Sequence, residues 1–209
     1  MAKFIKGDLA MDAITGIILA SGFSRRMKKE KLLLDVGGMP MVERVIRAAK
    51  FSHIDNLLLI YQRDEIQMIA RKHGIKTVYN HRAGEGQSAA VKLGVRSSPA
   101  DTAGYMFLVG DQPYLNASII NDLINVFKSG RNLIIVPLYN GRRGNPVIFS
   151  VKLKRDLLQL SGDCGGRVIL EKKKEWITLV NIEDQLIGLD IDKKEDYESI
   201  QGFNHQHFH

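Results

Sequence analysis

The sequence predicts an α/β domain: a single three-layer, Rossmann-like unit in which helices cover both faces of a mainly parallel sheet. Three observations lead there. Short apolar runs recur at residues 14–20, 56–61, 76–79, 105–109 and 133–138, the pattern of strands buried on both faces. Between them stand segments whose apolar residues repeat at helical spacing. Several runs end abruptly in Ser-Gly or Gly-Asp, as strands do where a parallel sheet opens onto a ligand crevice.

Taken in order, residues 14–20 form the first strand, and residues 31–36 a short extension before Gly37-Gly38. Pro40 suits the first position of a helix through residue 50, with Met41, Val42, Val45, Ile46 and Ala49 on its inner face. Residues 56–61 form the second strand, and Asp64 is placed to cap a helix that His73-Gly74 stops. A third strand at 76–79 leads into Gly84 and Gly86 and a helix starting near Gln87 or Ser88. The strand at 105–109 is followed by a helix from Asn116 or Ser118 to Lys128. Asn140-Gly141 marks a tight turn, so residues 133–138 and a strand from Pro146 are expected as an antiparallel hairpin. A short helix ends near Leu160, and late strands are expected at 177–180 and 188–191.

A chain of 209 residues fits one domain with a full core. The expected division is an N-terminal extension at 1–13, the domain at 14–200 and a flexible tail at 201–209. The net charge of +7 favours anionic partners. Nucleic acid is not expected, because the aromatics are scattered and not interleaved with the basic cluster as a stacking platform requires. No apolar run approaches the roughly 20 residues of a membrane helix, and residues 1–13 lack a signal-peptide core, so a soluble chain is expected. Cys164 is the sole cysteine, which forbids an internal disulfide and suits a reducing cytoplasm.

The chemistry concentrates where strands end. Leu19-Ala20-Ser21-Gly22 leaves the first strand, and Ser24, Arg25, Arg26, Lys28, Lys29 and Lys31 follow. Small residues let backbone N–H groups approach a phosphate, and the cations can neutralise it; on composition alone a solvated basic face is as good a reading. Gly110-Asp111-Gln112-Pro113 places a carboxylate at another strand end, where it can hold Mg²⁺, although these are also common turn residues. Arg142 and Arg143 precede Gly144-Asn145-Pro146 at a hairpin mouth suited to an anionic acceptor. Gly162-Asp163-Cys164-Gly165-Gly166-Arg167 combines close backbone approach with a guanidinium that can clamp phosphate.

In this order the segments resemble nucleotidyltransferases, and within them the molybdenum cofactor cytidylyltransferase family. The stretch from Leu19 to Met27 with Lys31-Leu32-Leu33 is similar to the family's L-A-A/G-G-x-S-x-R-M-G-x-x-K-L, with Ser21 where Ala or Gly is usual and Lys28 where Gly is usual. Gly86-Gln87-Ser88 with Gly94 resembles its G-Q-S-x-S segment, Ala90 replacing the second serine. L-G-D-Q-P, R-G-N-P-V-x-F, G-D-x-G-A-R and D-I-D-T-P-E-D-Y have counterparts around Asp111, Asn145, Asp163 and Asp192. The resemblance implies the nucleotide-diphospho-sugar transferase type of fold and transfer of CMP from CTP to the phosphate of a molybdopterin-type acceptor. It implies Arg25, Lys31 and Asp111 as catalytic, and Leu19, Ala20, Ser21, Gly22, Ser24, Gly86, Gln87, Ser88, Gly144, Asn145, Pro146, Asp163 and Arg167 as ligand-binding. Mg²⁺ would sit on Asp111 with Asp192, or Asp190 as second choice. A GTP-using guanylyltransferase, an enzyme for another phosphorylated small molecule, or a non-catalytic factor delivering cofactor to a molybdenum hydroxylase are the alternatives.

Overall fold

The computed structural model describes residues 13–22, 30–130, 132–183 and 196–197. Four parallel strands make one half of the sheet: β1 (Ala13–Ala20), β2 (Asn56–Tyr61), β3 (Lys76–Tyr79) and β4 (Thr102–Val109). Their order is β3-β2-β1-β4, so β1 and β4 lie side by side with Leu19 opposite Val109. Beyond β4 the direction reverses. β7 (Val147–Ser150) pairs antiparallel with β4 on one side and with β5 (Ile134–Tyr139) on the other, and β8 (Ile177–Ile182) joins β5 in parallel. A two-residue strand, β6 (Arg142–Arg143), closes the hairpin on β5. Asn140 and Gly141 both have positive φ, at 50° and 75°, which is why an Asn-Gly pair stands there.

The side-chain period of two sends alternate strand residues to opposite faces, and helices bury both. On one face Ile14, Ile18, Met106 and Leu108 meet α1 (Met41–Lys50), α2 (Asp64–Lys72) and α4 (Ala117–Lys128). On the other Ile17, Tyr105, Phe107 and Phe149 meet α3 (Gln87–Ser97), α5 (Lys154–Leu158) and α6 (Arg167–Lys172). This is the three-layer α/β arrangement that the sequence predicts. Each fully buried Ile or Leu of these clusters contributes roughly 1.5–3 kcal/mol by leaving water. Replacing one with Ala costs about 2–5 kcal/mol once the cavity is included.

Several element ends differ from expectation, for local reasons. β4 starts at Thr102 rather than 105 because the Thr102 and Thr15 hydroxyls share a buried 2.7 Å hydrogen bond that continues the pairing with β1. Arg63, not Asp64, holds the cap position of α2, and Asp64 sits in the first turn, where its charge complements the helix dipole. Residues 31–33 make a 3-10 turn in place of an extension, with Leu32 buried. The α6 helix lacked a clear periodic signal because it is only six residues long. Asn116 does cap α4, accepting from Ile119 N at 3.0 Å. The strand expected at 188–191 lies outside the described residues.

Candidate active site

The ends of β1 and β4 are joined directly, since Gly110 N donates to Leu19 O at 3.3 Å. That contact seats the loop after β4 beside Leu19, Ala20, Ser21 and Gly22. Leu32 packs onto Gly110 so closely that a Cβ there would come within 3.2 Å of it. The 3-10 turn thereby brings Lys31 over the same strand ends, and Lys31 Nζ lies 2.7 Å from Asp111 Oδ2. The two side chains are 13% and 22% exposed, respectively. Two residues that sequence reasoning placed in separate motifs form one partly buried ion pair.

The second oxygen, Asp111 Oδ1, is buried and has no hydrogen-bond partner, and the same holds for both amide atoms of Gln112 and for the Tyr114 hydroxyl. A buried polar atom left without a partner costs free energy on the order of 1–3 kcal/mol. Among the described residues all four such side-chain atoms fall in one loop, residues 111–114, which leaves that loop with hydrogen-bonding capacity for a ligand or for water. Burial also pushes the Tyr114 hydroxyl above its ordinary pKa, with nearby Arg44 pulling the other way. Gln112 was legible only as part of the Gly-Asp-Gln-Pro string, and nothing in the string showed that its amide is 1% exposed.

Across β1, Ser21 is buried and its hydroxyl accepts a 2.9 Å hydrogen bond from Asn80 Nδ2. Asn80 is a site residue that sequence reasoning missed. Its signal was a polar residue immediately after a strand, at the head of the glycine-rich segment. Asn80 Oδ1 in turn accepts from Arg82 N at 3.1 Å, shaping the descent toward Gly86.

Gly86, Gln87 and Ser88 begin α3, and residues 162–166 lie on them. Ser88 N donates to Gly162 O at 3.3 Å, and Gln87 N donates to Asp163 Oδ1 at 3.2 Å. Gly86 has φ of 89°, and a Cβ on it would meet the Asp163 backbone at 2.7 Å. The carboxylate of Asp163 thus serves the α3 N-terminus, a position where an anion is favoured. Gln87 is exposed, with its amide against Gly165, whereas Ser88 is 1% exposed. Ala90 is buried in the apolar cluster under α3.

The remaining expected site residues are more dispersed. Tyr139 braces the hairpin mouth: its hydroxyl donates to Asn145 O at 2.7 Å and its ring lies against Gly144. The β4–β7 pairing ends at Phe107 opposite Val147, directly after Gly144-Asn145-Pro146. The Asn145–Pro146 bond is cis and Pro146 is buried. Arg167 is turned to its own helix, pairing with Glu171 at 3.0 Å on an exposed face. Ser24, Arg25, Asp190 and Asp192 lie outside the described residues. A pocket of about 120 Å³ beside α3 is bordered by Tyr79, Asn80, His81, Lys92 and Arg96; Asn80 lines it, but none of the residues expected from the sequence does.

Residues 16–176 match the MobA-like NTP transferase domain. The chain belongs to that family. With membership comes the coarse activity, a nucleotidyltransferase acting on a nucleoside triphosphate. Among curated relatives, the molybdenum cofactor cytidylyltransferase of Escherichia coli is 29% identical over 190 residues, covering 90% of this chain and 95% of the relative. Nicotine blue oxidoreductase of Paenarthrobacter nicotinovorans is 25% identical over 201 residues, covering 90% and 97%. Solved structures share the fold. Rv0371C of Mycobacterium tuberculosis, in complex with manganese, superposes with a TM-score of 0.77 at 21% identity, covering 90% of this chain and 97% of that one. CMP:2-keto-3-deoxy-manno-octonic acid synthetase, complexed with CTP, gives 0.76 at 14%, covering 93% and 99%. The mostly parallel sheet with its antiparallel β7 therefore belongs to the nucleotide-diphospho-sugar transferase-like fold. No helix of the described residues is long and apolar enough to cross a membrane.

Proposed function

We propose that the chain transfers CMP from CTP to the phosphate of molybdenum-loaded molybdopterin, releasing pyrophosphate and the cytosine dinucleotide form of the cofactor. The observation that carries the reading is the Lys31–Asp111 pair at 2.7 Å over the joined ends of β1 and β4, with Asp111 Oδ1 buried and open. A phosphate oxygen of the acceptor attacks the α-phosphorus of the nucleotide. The bond from that phosphorus to the bridging oxygen breaks, and the electron pair leaves with pyrophosphate. The attacking oxygen is already anionic, so no general base is required, and positioning and charge compensation supply the rate.

The residues fit a divalent cation. Mg²⁺ takes one or two protein carboxylates with phosphate oxygens and water, and Asp111 Oδ1 offers one carboxylate oxygen with no competing hydrogen bond. Asp192, with Asp190 as second choice, is proposed as the other ligand. A bound Mg²⁺ supplies Lewis-acid neutralisation of the phosphates. Lys31, together with Arg25, steadies the α-phosphate and the departing pyrophosphate. The backbone from Leu19 to Gly22 and Ser24 borders the triphosphate, and the Gly86-Gln87-Ser88 segment forms the base side, with Gln87 the exposed amide that reads the base edge and Ser88 buried behind it. Gly144, Asn145 and Pro146 shape the acceptor side, where Arg142 and Arg143 are exposed cations; Arg167 would leave Glu171 to reach a phosphate. The 29% identity to the molybdenum cofactor cytidylyltransferase of Escherichia coli supports cytidylyl transfer to a molybdenum cofactor.

Pyrophosphate release measured with molybdenum-loaded molybdopterin, Mg²⁺ and CTP, GTP, ATP or UTP tests the proposal. Preference for CTP is the expected outcome. Preference for GTP moves the enzyme to guanylyl transfer, and release only with another phosphorylated acceptor replaces the acceptor assignment. Silence with all four nucleotides alongside tight cofactor binding favours a delivery factor for a molybdenum hydroxylase.

A further inference from the structure

We infer that Lys31 has a second task besides phosphate binding: it is the counter-ion of Asp111 before nucleotide arrives, so that a divalent cation enters the site with the triphosphate and not ahead of it. The inference rests on the reading of Asp111 as the metal carboxylate. Lys31 Nζ sits on Oδ2 at 2.7 Å, and the pair is 13% and 22% exposed. An ion bound at Oδ1 would face the ammonium across the width of one carboxylate. Like charges at that separation repel, and more strongly where water is partly excluded. A cation alone therefore meets a carboxylate already neutralised on one side.

A triphosphate reverses the balance. Its oxygens offer the ammonium a charge-assisted partner richer than one carboxylate. Lysine carries a compact charge on a flexible four-carbon stem, so Nζ can pass from Asp111 to phosphate without displacing its backbone. That backbone is pinned, because neighbouring Leu32 is buried and packed against Gly110. The turn stays and the charge moves. The arrangement also keeps the Asp111 carboxylate compensated within its half-buried setting, which an isolated charge there would not be.

Mn²⁺ titrated into the full chain and followed by electron paramagnetic resonance tests this, comparing the unsubstituted protein with Lys31→Met, Lys31→Arg and Asp111→Asn. Without nucleotide, Lys31→Met is expected to bind Mn²⁺ at least about tenfold more tightly than the unsubstituted protein, and Lys31→Arg no more tightly than it. With a non-hydrolysable nucleoside triphosphate analogue, and after correction for Mn²⁺ held by the analogue alone, the unsubstituted protein tightens by a larger factor than Lys31→Met. Equal or weaker Mn²⁺ binding by a natively folded Lys31→Met overturns the inference, and weaker binding makes the lysine a brace for the metal carboxylate. Should Lys31→Met not fold, the unsubstituted protein decides: Mn²⁺ binding as tight without the analogue as with it overturns the inference. Asp111→Asn separates the two readings. If it binds Mn²⁺ as the unsubstituted protein does with the analogue present, Asp111 is not the metal carboxylate and both readings fall. If it loses binding while Lys31→Met matches the unsubstituted protein, only the counter-ion role falls.

Discussion

The two groups of strand-end loops are built from different materials. Over β1 and β4 the contacts are between charged side chains, Lys31 and Asp111, carried on backbone that is held independently by Leu32 and Gly110. Over α3 the contacts are backbone against backbone, where residues 162–166 rest on Gly86, Gln87 and Ser88 through amides, a capping carboxylate and the missing side chains of glycines. A side chain can be removed from the first region without moving the chain, whereas in the second an added methyl group displaces it. The first region is suited to chemistry and the second to shape.

Substitutions can pull the comparison apart. The largest effect belongs to Asp111→Ala, expected to lower turnover by about 10³ or more while the circular dichroism spectrum and Tm stay near the parent's. Normal pyrophosphate release from that variant would remove the carboxylate from the reaction. Next, Gly86→Ala places a Cβ 2.7 Å from the Asp163 backbone at φ of 89°. Its strain should cost about 1–3 kcal/mol in denaturant unfolding and raise KM for the nucleotide more than it lowers kcat. If kcat alone falls, the glycine segment touches the reacting phosphates and the division between the two regions fails.

Asp163→Ala is expected to act on the same side but more gently, removing the acceptor for Gln87 N and about 1 kcal/mol of stability. Asp163→Asn should restore much of it, as an uncharged cap can still accept. A KM unchanged in both variants would show that the cap serves α3 alone. The smallest effect lies in the core shared by both regions. Burial raises the Tyr105 pKa above its usual value of 10. A folded pKa above the unfolded one contributes stability that is complete below pH 10 and is lost as pH rises through the folded value. Tm should therefore fall less steeply above pH 10 in Tyr105→Phe than in the parent.

What was legible in the sequence follows from what is local. Helix and strand periods, the Asn140-Gly141 turn and the Asn116 cap depend on a few neighbouring residues, and the structure shows each of them. The chemistry-bearing segments were also visible, because small and charged residues interrupt apolar runs at strand ends. Asn80 was missed because its importance lies in reaching Ser21, 59 positions away. Arg167 was legible as a basic residue in a glycine loop, but its pairing with Glu171 depends on a helix too short to announce itself.

By itself, then, the sequence determined the class of fold and the inventory of reactive groups, since both are written in short-range patterns of polarity and backbone freedom. Tertiary structure alone decided which of them meet. Lys31 reaches Asp111 across 80 positions, and Gln87 reaches Asp163 across 76. Those meetings follow from β1 lying next to β4 and from the loop before α6 folding over α3, arrangements set by burying two apolar faces at once. No local pattern contains that condition, because burial is a property of the whole sheet.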